Sequence, residues 1–271
     1  MSRFSRRHTL ALAGAASITA SLSGMAAAEE PLAMQSKAPF VLVHGAWHGG
    51  WCWRIVAAAL RKAGHPVFTP TLTGMGSRLH LGRADTGLNT HIEDVANVLK
   101  FEELKGAVLV GHSYGGAVCQ GVFDRVGSQI SKLIMLDASV LDDGESMTSK
   151  SSPEMMAGAK ASLIDGFKLP TWPPEAFGVL PEDGWVYDWV KRRLTSMPFG
   201  SLTTPLALKN GDVTDPNVLF INCNGRPFGD NSRPGLQKAK ARGWTVQDLD
   251  TGHDAMVTAP DALANMLLAA L

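Results

Sequence analysis

Three observations predict an α/β protein built on a mostly parallel, doubly wound sheet. From Pro39 onward, short β-branched and apolar runs alternate with longer stretches of helical character. The runs are short and largely apolar, as strands covered on both faces should be. A chain of 271 residues, 45% hydrophobic and only 18% charged, can also bury the large core such a sheet needs.

Taken in order, strands are expected at 40–44 (Phe-Val-Leu-Val-His), 67–70, 107–110 (Ala-Val-Leu-Val), 133–137 (Leu-Ile-Met-Leu-Asp), 218–222 and 246–248. Helices fit between or after them at 51–63, 91–100, 116–126, 235–241 and 260–271. The last carries Asp261 in its first turn, where a negative charge favours the helix dipole. One stretch breaks the alternation. After Asp137 about 80 residues pass without a clear buried strand, polar over 141–152 and then rich in Met, Trp, Phe and Pro. It reads as a helical cap inserted over the sheet at about 140–210. Met155, Met156, Phe167, Trp172, Phe177, Trp185, Trp189, Met197 and Phe199 are then either its private core or the wall of an apolar pocket, and their concentration points to several lining a site.

The first 28 residues are set apart as an export signal. Arg6 and Arg7 precede a mildly apolar run over 10–22, and Ala26, Ala27 and Ala28 offer the small residues that signal peptidase requires. This is the pattern of a twin-arginine signal; Thr9, where such signals usually carry Phe, makes a general secretory signal the rival. Cleavage after Ala28 removes three arginines and no acid, leaving an exported domain at 29–271 with net charge −3. The full chain balances 25 basic against 25 acidic side chains, so it has no positive field to attract nucleic acid. No apolar window outside the N-terminus is long enough for a membrane span. Cys52, Cys119 and Cys223 allow at most one disulfide and sit in apolar surroundings, so they read as buried inert thiols.

The chemistry-bearing signal is Val110-Gly111-His112-Ser113-Tyr114-Gly115-Gly116, a strand running into Gly-x-Ser-x-Gly and then a helix. Glycines at 111 and 115 permit a sharp turn that lifts the Ser113 hydroxyl off the sheet, with the next amide at a helix N-terminus. A serine needs a base, and His253, just after the last strand, can reach it from the carboxyl edge. The loop His44-Gly45-Ala46-Trp47-His48-Gly49-Gly50 follows the first strand, and the amides of Ala46 and Tyr114 together would form a two-donor oxyanion hole. Trp47, His112, Trp172 and Trp185 are the candidate substrate-pocket residues. His44 and His48 have metal-pair spacing but no third ligand at a useful distance, so no metal is expected.

The stretches 40–51, 110–116 and 252–256 resemble the α/β-hydrolase superfamily, and most closely the branch of plant methylesterases, hydroxynitrile lyases and their bacterial esterase relatives. The resemblance spans nearly the whole of 29–271, matches the insertion poorly, and implies the α/β-hydrolase fold with Ser113 as nucleophile, His253 as base and Ala46 and Tyr114 at the oxyanion hole. The triad acid departs from that branch. There it follows the strand matching 218–222, which here runs into Cys223-Asn224-Gly225-Arg226-Pro227, with Asp230 the nearest acid. Asp137, ending the strand after the nucleophile helix, resembles the placement in several haloalkane dehalogenases, and its charge at the end of an apolar strand is costly unless paired. Asp137 is therefore the favoured acid and Asp230 the alternative, with Asp250 and Asp248 behind.

Site residues choose among reactions on this scaffold. Dehalogenases and epoxide hydrolases of the superfamily use an aspartate where Ser113 stands. Lyases of the plant branch carry Thr at the position of Gly45 and Lys at that of Asp254. A cofactor-free oxygenase or lyase, or a non-catalytic ligand receptor, is the alternative to a carboxylic ester hydrolase, which is the expected activity. The expected substrate is a small-molecule ester, medium-sized and hydrophobic or aromatic, cleaved without a cofactor; the oligomeric state stays open.

Overall fold

The computed structural model describes residues 37–215, 217–225 and 234–271. The export signal and Asp230 lie outside the described residues.

Strands β1 (Phe40–Val43), β2 (Val67–Phe68), β3 (Ala107–His112) and β4 (Ile130–Leu136) form at the first four expected places. A two-stranded antiparallel ribbon of β5 (Lys168–Leu169) and β6 (Met197–Pro198) follows, and then β7 (Leu219–Cys223) and β8 (Thr245–Leu249). The main sheet is parallel throughout, in the order β2-β1-β3-β4-β7-β8.

Alternation along each strand explains how the sheet is covered. Phe40, Leu42, Val108, Val110, Ile134 and Ile221 point to one face, and Val41, Val43, Leu109, Met135 and Phe220 to the other. The first face is covered by helices α1 (Arg54–Lys62) and α9 (Pro260–Ala269) through Val56, Leu60, Leu263 and Leu267. The second is covered by α2 (Leu88–Phe101) and α3 (Gly115–Val126) through Ile92, Val95, Val118 and Val122. Each fully buried aliphatic chain contributes about 1.5–3 kcal/mol, so the central strands hold the molecule together. Helix boundaries shift where local chemistry decides them: α2 starts three residues early because Gly87 takes an extended backbone and its amide donates to the Thr90 hydroxyl.

Between β4 and β7 the chain forms α4 (Pro153–Ala161), α5 (Trp185–Lys191) and α6 (Gly200–Thr203) besides the short ribbon. Helix α4 has no buried residue and is started by Ser152, whose hydroxyl accepts the Met155 amide. Helices α7 (Pro234–Ala241) and α8 (Ala255–Thr258) complete the set. No helix among the described residues is long and apolar enough to cross a membrane.

The sheet order reverses between β1 and β3. From β1 the chain moves outward to β2, then returns to β3 and proceeds the other way. The loops leaving the carboxyl ends of these two strands diverge there and open a crevice, the usual place for a ligand in such a sheet.

Candidate active site

Ser113 sits at the end of β3 with φ of +51°, a left-handed conformation costing an L-residue about 1–2 kcal/mol. The turn is possible because its neighbours lack side chains. A Cβ on Gly111 would approach the Gly115 carbonyl oxygen to 2.7 Å, and one on Gly115 would approach the His44 carbonyl oxygen to 2.7 Å. Backbone bonds hold the strained residue: its amide donates to the Leu136 carbonyl at 3.1 Å, and its carbonyl accepts from Gly116 and Ser139 at 2.9 Å each. Trp47 and Asp137 are also left-handed, with φ of +62° and +42°. Of the five non-glycine residues with positive φ among the described residues, these three border one crevice, where strain at functional sites is commonly found.

Asp137 follows β4, and its amide donates to the Ile221 carbonyl of β7 at 2.7 Å. That bond turns the carboxylate toward the loop after β8, where Oδ2 lies 2.6 Å from Nδ1 of His253. The pairing leaves Nε2 as the ring nitrogen available to a hydroxyl. His253, Asp137 and Ser113 border one cavity together with Ala46 and Tyr114.

Both oxyanion-hole candidates are held by buried imidazoles. The Ala46 carbonyl accepts from Nδ1 of His48 at 2.7 Å, and the Tyr114 hydroxyl lies 2.8 Å from Nδ1 of His91. Tyr114 is the cap of α3, so its amide stands at the positive end of a twelve-residue helix. His44 accepts the Leu72 amide at Nε2 and donates from Nδ1 to the Gly45 carbonyl, so it is neutral. Burial lowers its pKa to about 3.

The cavity measures about 600 Å³. Trp47 and Trp172 form part of its wall, their rings stacked at 4.7 Å, with Phe177 against both. Met147, Phe199 and Leu202 extend the apolar surface. Among the charged side chains on its border, Lys238 pairs with Asp142 and Glu145, and the exposed Lys150 lies 3.8 Å from Glu145.

Two pocket candidates lie elsewhere. His112 is 1% exposed and absent from the cavity wall; its Nε2 donates to the His253 carbonyl at 3.0 Å. Its pKa is lowered to about 3, chiefly by burial and then by His253 beside it, so it stays neutral. Trp185 opens α5 at 65% exposure and packs on Trp189 rather than on the cavity. Conversely, His48 and Asp254 emerge as a buried pair 2.8 Å apart. Sequence reading treats His48 only as half of a rejected metal pair and Asp254 only as the residue replacing a lyase lysine. A carboxylate directly after the base, in an apolar segment, is the signal that could have marked the pair. Cys52, Cys119 and Cys223 are all buried.

A model of the alpha/beta hydrolase family matches residues 40–266. The carbendazim hydrolyzing esterase of Nocardioides sp. (strain SG-4G) is 42% identical over 246 residues, covering 86% of this chain and 99% of that protein. Methylesterase 2 of Arabidopsis thaliana is 31% identical over 196 residues, 69% of each chain. Among solved structures, an extracellular alpha/beta-hydrolase from a Paenibacillus species superposes with a TM-score of 0.70 at 23% identity, covering 86% of this chain and 98% of that one. The methylesterase MES16 from Arabidopsis gives 0.65 at 22% identity over 86% and 98% of the two chains. At these identities the structural likeness speaks for the fold.

Proposed function

The chain belongs to the α/β-hydrolase family and is a carboxylic ester hydrolase, and on that premise we propose that it cleaves medium-sized hydrophobic or aromatic esters through an acyl-enzyme. Ser113 attacks the ester carbonyl while Nε2 of His253 takes its proton, with Asp137 orienting the ring and balancing the imidazolium. The amides of Ala46 and Tyr114 receive the developing oxyanion. His253 then protonates the leaving alcohol, and water repeats the sequence on the acyl group.

The observation that carries this reading is the 2.6 Å bond between Asp137 and His253 at the edge of the cavity that Ser113 borders. The aromatic wall and the paired charges at its border favour an uncharged, flat or bulky apolar group over a sugar or a polyanion. Hydrolysis is favoured over cyanide elimination by two features. A Cβ on Gly45 would come within 2.8 Å of the Ser113 Cβ, so the lyase threonine has no room, and the residue after the base is a buried anion rather than a cation.

A panel of p-nitrophenyl and methyl esters, with carbendazim included because of the 42% identical relative, tests the reading alongside fluorophosphonate labelling. Ser113→Ala is expected to lose at least about 10⁴-fold in turnover and all labelling while remaining folded. Activity kept in that variant would remove Ser113 from the mechanism.

We further propose that residues 1–28 direct export to the periplasm or medium, so that the mature enzyme begins near Glu29. Arg6→Lys with Arg7→Lys is expected to block export by the twin-arginine route, as read by N-terminal sequencing of the exported protein. Unchanged export would point to the general secretory route.

A further inference from the structure

Behind the triad lies a second Asp–His pair that the reaction as written does not use. His48 is 1% exposed and Asp254 fully buried. Nε2 of His48 lies 2.8 Å from Oδ2 of Asp254, and its Nδ1 lies 2.7 Å from the Ala46 carbonyl oxygen. A carbonyl can only accept, so Nδ1 carries a proton; a carboxylate at the other nitrogen calls for a second. His48 is then an imidazolium, ion-paired with Asp254.

Burial by itself would lower the His48 pKa and raise that of Asp254, yet their mutual charge and hydrogen bond outweigh it, raising the first and lowering the second. Of the other titratable groups around the pair, His44 is neutral, its pKa lowered to about 3 by burial. His112, whose Nε2 lies 3.8 Å from Oδ1 of Asp254, is neutral, and the Cys52 thiol is pushed up by burial and then by the Asp254 carboxylate. His253 faces Asp137. Trp51 stacks on His48 and Phe177 meets it edge-on, excluding water from the pair.

What the pair joins matters. His48 holds the carbonyl of Ala46 on the oxyanion loop, whereas Asp254 belongs to the loop of His253, and its amide donates to the Phe177 carbonyl at 3.1 Å. His112, directly before Ser113, grips the His253 carbonyl. Oxyanion loop, nucleophile turn and base loop are therefore cross-tied by three buried side chains.

We propose that His48 and Asp254 are positioning residues for ester hydrolysis, clamping the Ala46 loop to the His253 loop so that the oxyanion amide and the base address the same carbonyl. The inference rests on the assignment of Ser113 and His253 above. An asparagine at 254 can donate its amide to an unprotonated Nε2 while Nδ1 still donates to Ala46, so it keeps the tie without the charge. A leucine of similar size keeps neither.

Asp254→Leu is therefore expected to lower kcat about 100-fold with KM changed less than about threefold, and Asp254→Asn to recover kcat to within about tenfold of wild type. In the wild-type enzyme labelled with ¹⁵N-histidine, His48 is expected to show a protonated Nδ1 at every pH and to keep both ring nitrogens protonated to a higher pH than an ordinary histidine, whose pKa is about 6.5. A folded Asp254→Leu enzyme with wild-type kcat, or with its whole loss in KM, would overturn the proposal. Should that variant fail to fold, the spectrum decides, and a His48 with unprotonated Nδ1 would overturn it. Wild-type enzyme that fluorophosphonate does not label at Ser113 would instead remove the underlying reading, which keeps the two failures distinct.

Discussion

A carboxylate at the end of a buried strand loses its hydration and must recover the lost stabilisation within hydrogen-bonding reach. Asp137, with its side chain 1% exposed, meets the imidazole of His253, and the left-handed backbone at φ of +42° aims it there. Its place was legible because the sequence offers no acid directly after 218–222 and an expensive one at 137. Asp137→Asn is expected to lower kcat about 10³–10⁴-fold, as loss of the orienting acid does in other triads. Asp230→Asn should leave kcat within about threefold, since on this assignment Asp137 is the carboxylate that orients the base. A large loss confined to the Asp230 variant would return the acid to the plant branch's position. Ser113 was legible because its flanking glycines are themselves the steric requirement of the turn. His112 was not: neighbours along a strand point to opposite sides, so adjacency to the nucleophile says nothing about facing the cavity.

At the level of elements, the main strands stand where alternation and punctuation put them; the central ones are apolar because they are covered on both faces, whereas the edge strand β8 is largely exposed and apolar only at Val246 and Leu249. The region between β4 and β7 was legible only as an interruption. Its two-residue strands and short helices depend on tertiary contacts, and helix periodicity cannot show that Trp185 faces away from the cavity while Trp189 is buried. The strand ends also set a pH response. His44 directly follows β1 and His112 ends β3; both are buried and neutral, with pKa near 3. Unfolding exposes each ring to its ordinary pKa of about 6.5, so between pH 3 and 6.5 the unfolded chain binds protons that the native state refuses. Stability therefore falls as pH drops through that window, by up to about 1.4 kcal/mol per pH unit for each ring. His48 has the opposite sign: its raised pKa contributes stability below about pH 6.5 that is lost as pH climbs through the raised value. Urea midpoints are expected to drop between pH 6.5 and 5, and His112→Gln should flatten that slope. A midpoint unchanged over the interval would mean that these rings are protonated in the native state.

Considered as one molecule, the fold brings residues 46, 113, 137 and 253 from four separate loops to the carboxyl edge of a single sheet. Helices on both faces leave that edge as the opening, and the segment between β4 and β7 roofs it with aromatic side chains. The central claim is that Ser113 carries the acyl group between two half-reactions. Two esters sharing an acyl group but differing in alcohol then pass through the same intermediate, whatever their rates. Partitioning between water and added methanol tests this most directly, read as the ratio of acid to methyl ester for a p-nitrophenyl ester and a slower alkyl ester of the same acid. An acyl-enzyme predicts one ratio for both substrates; a ratio that changes with the leaving alcohol would mean that water attacks the ester itself, and would contradict the account.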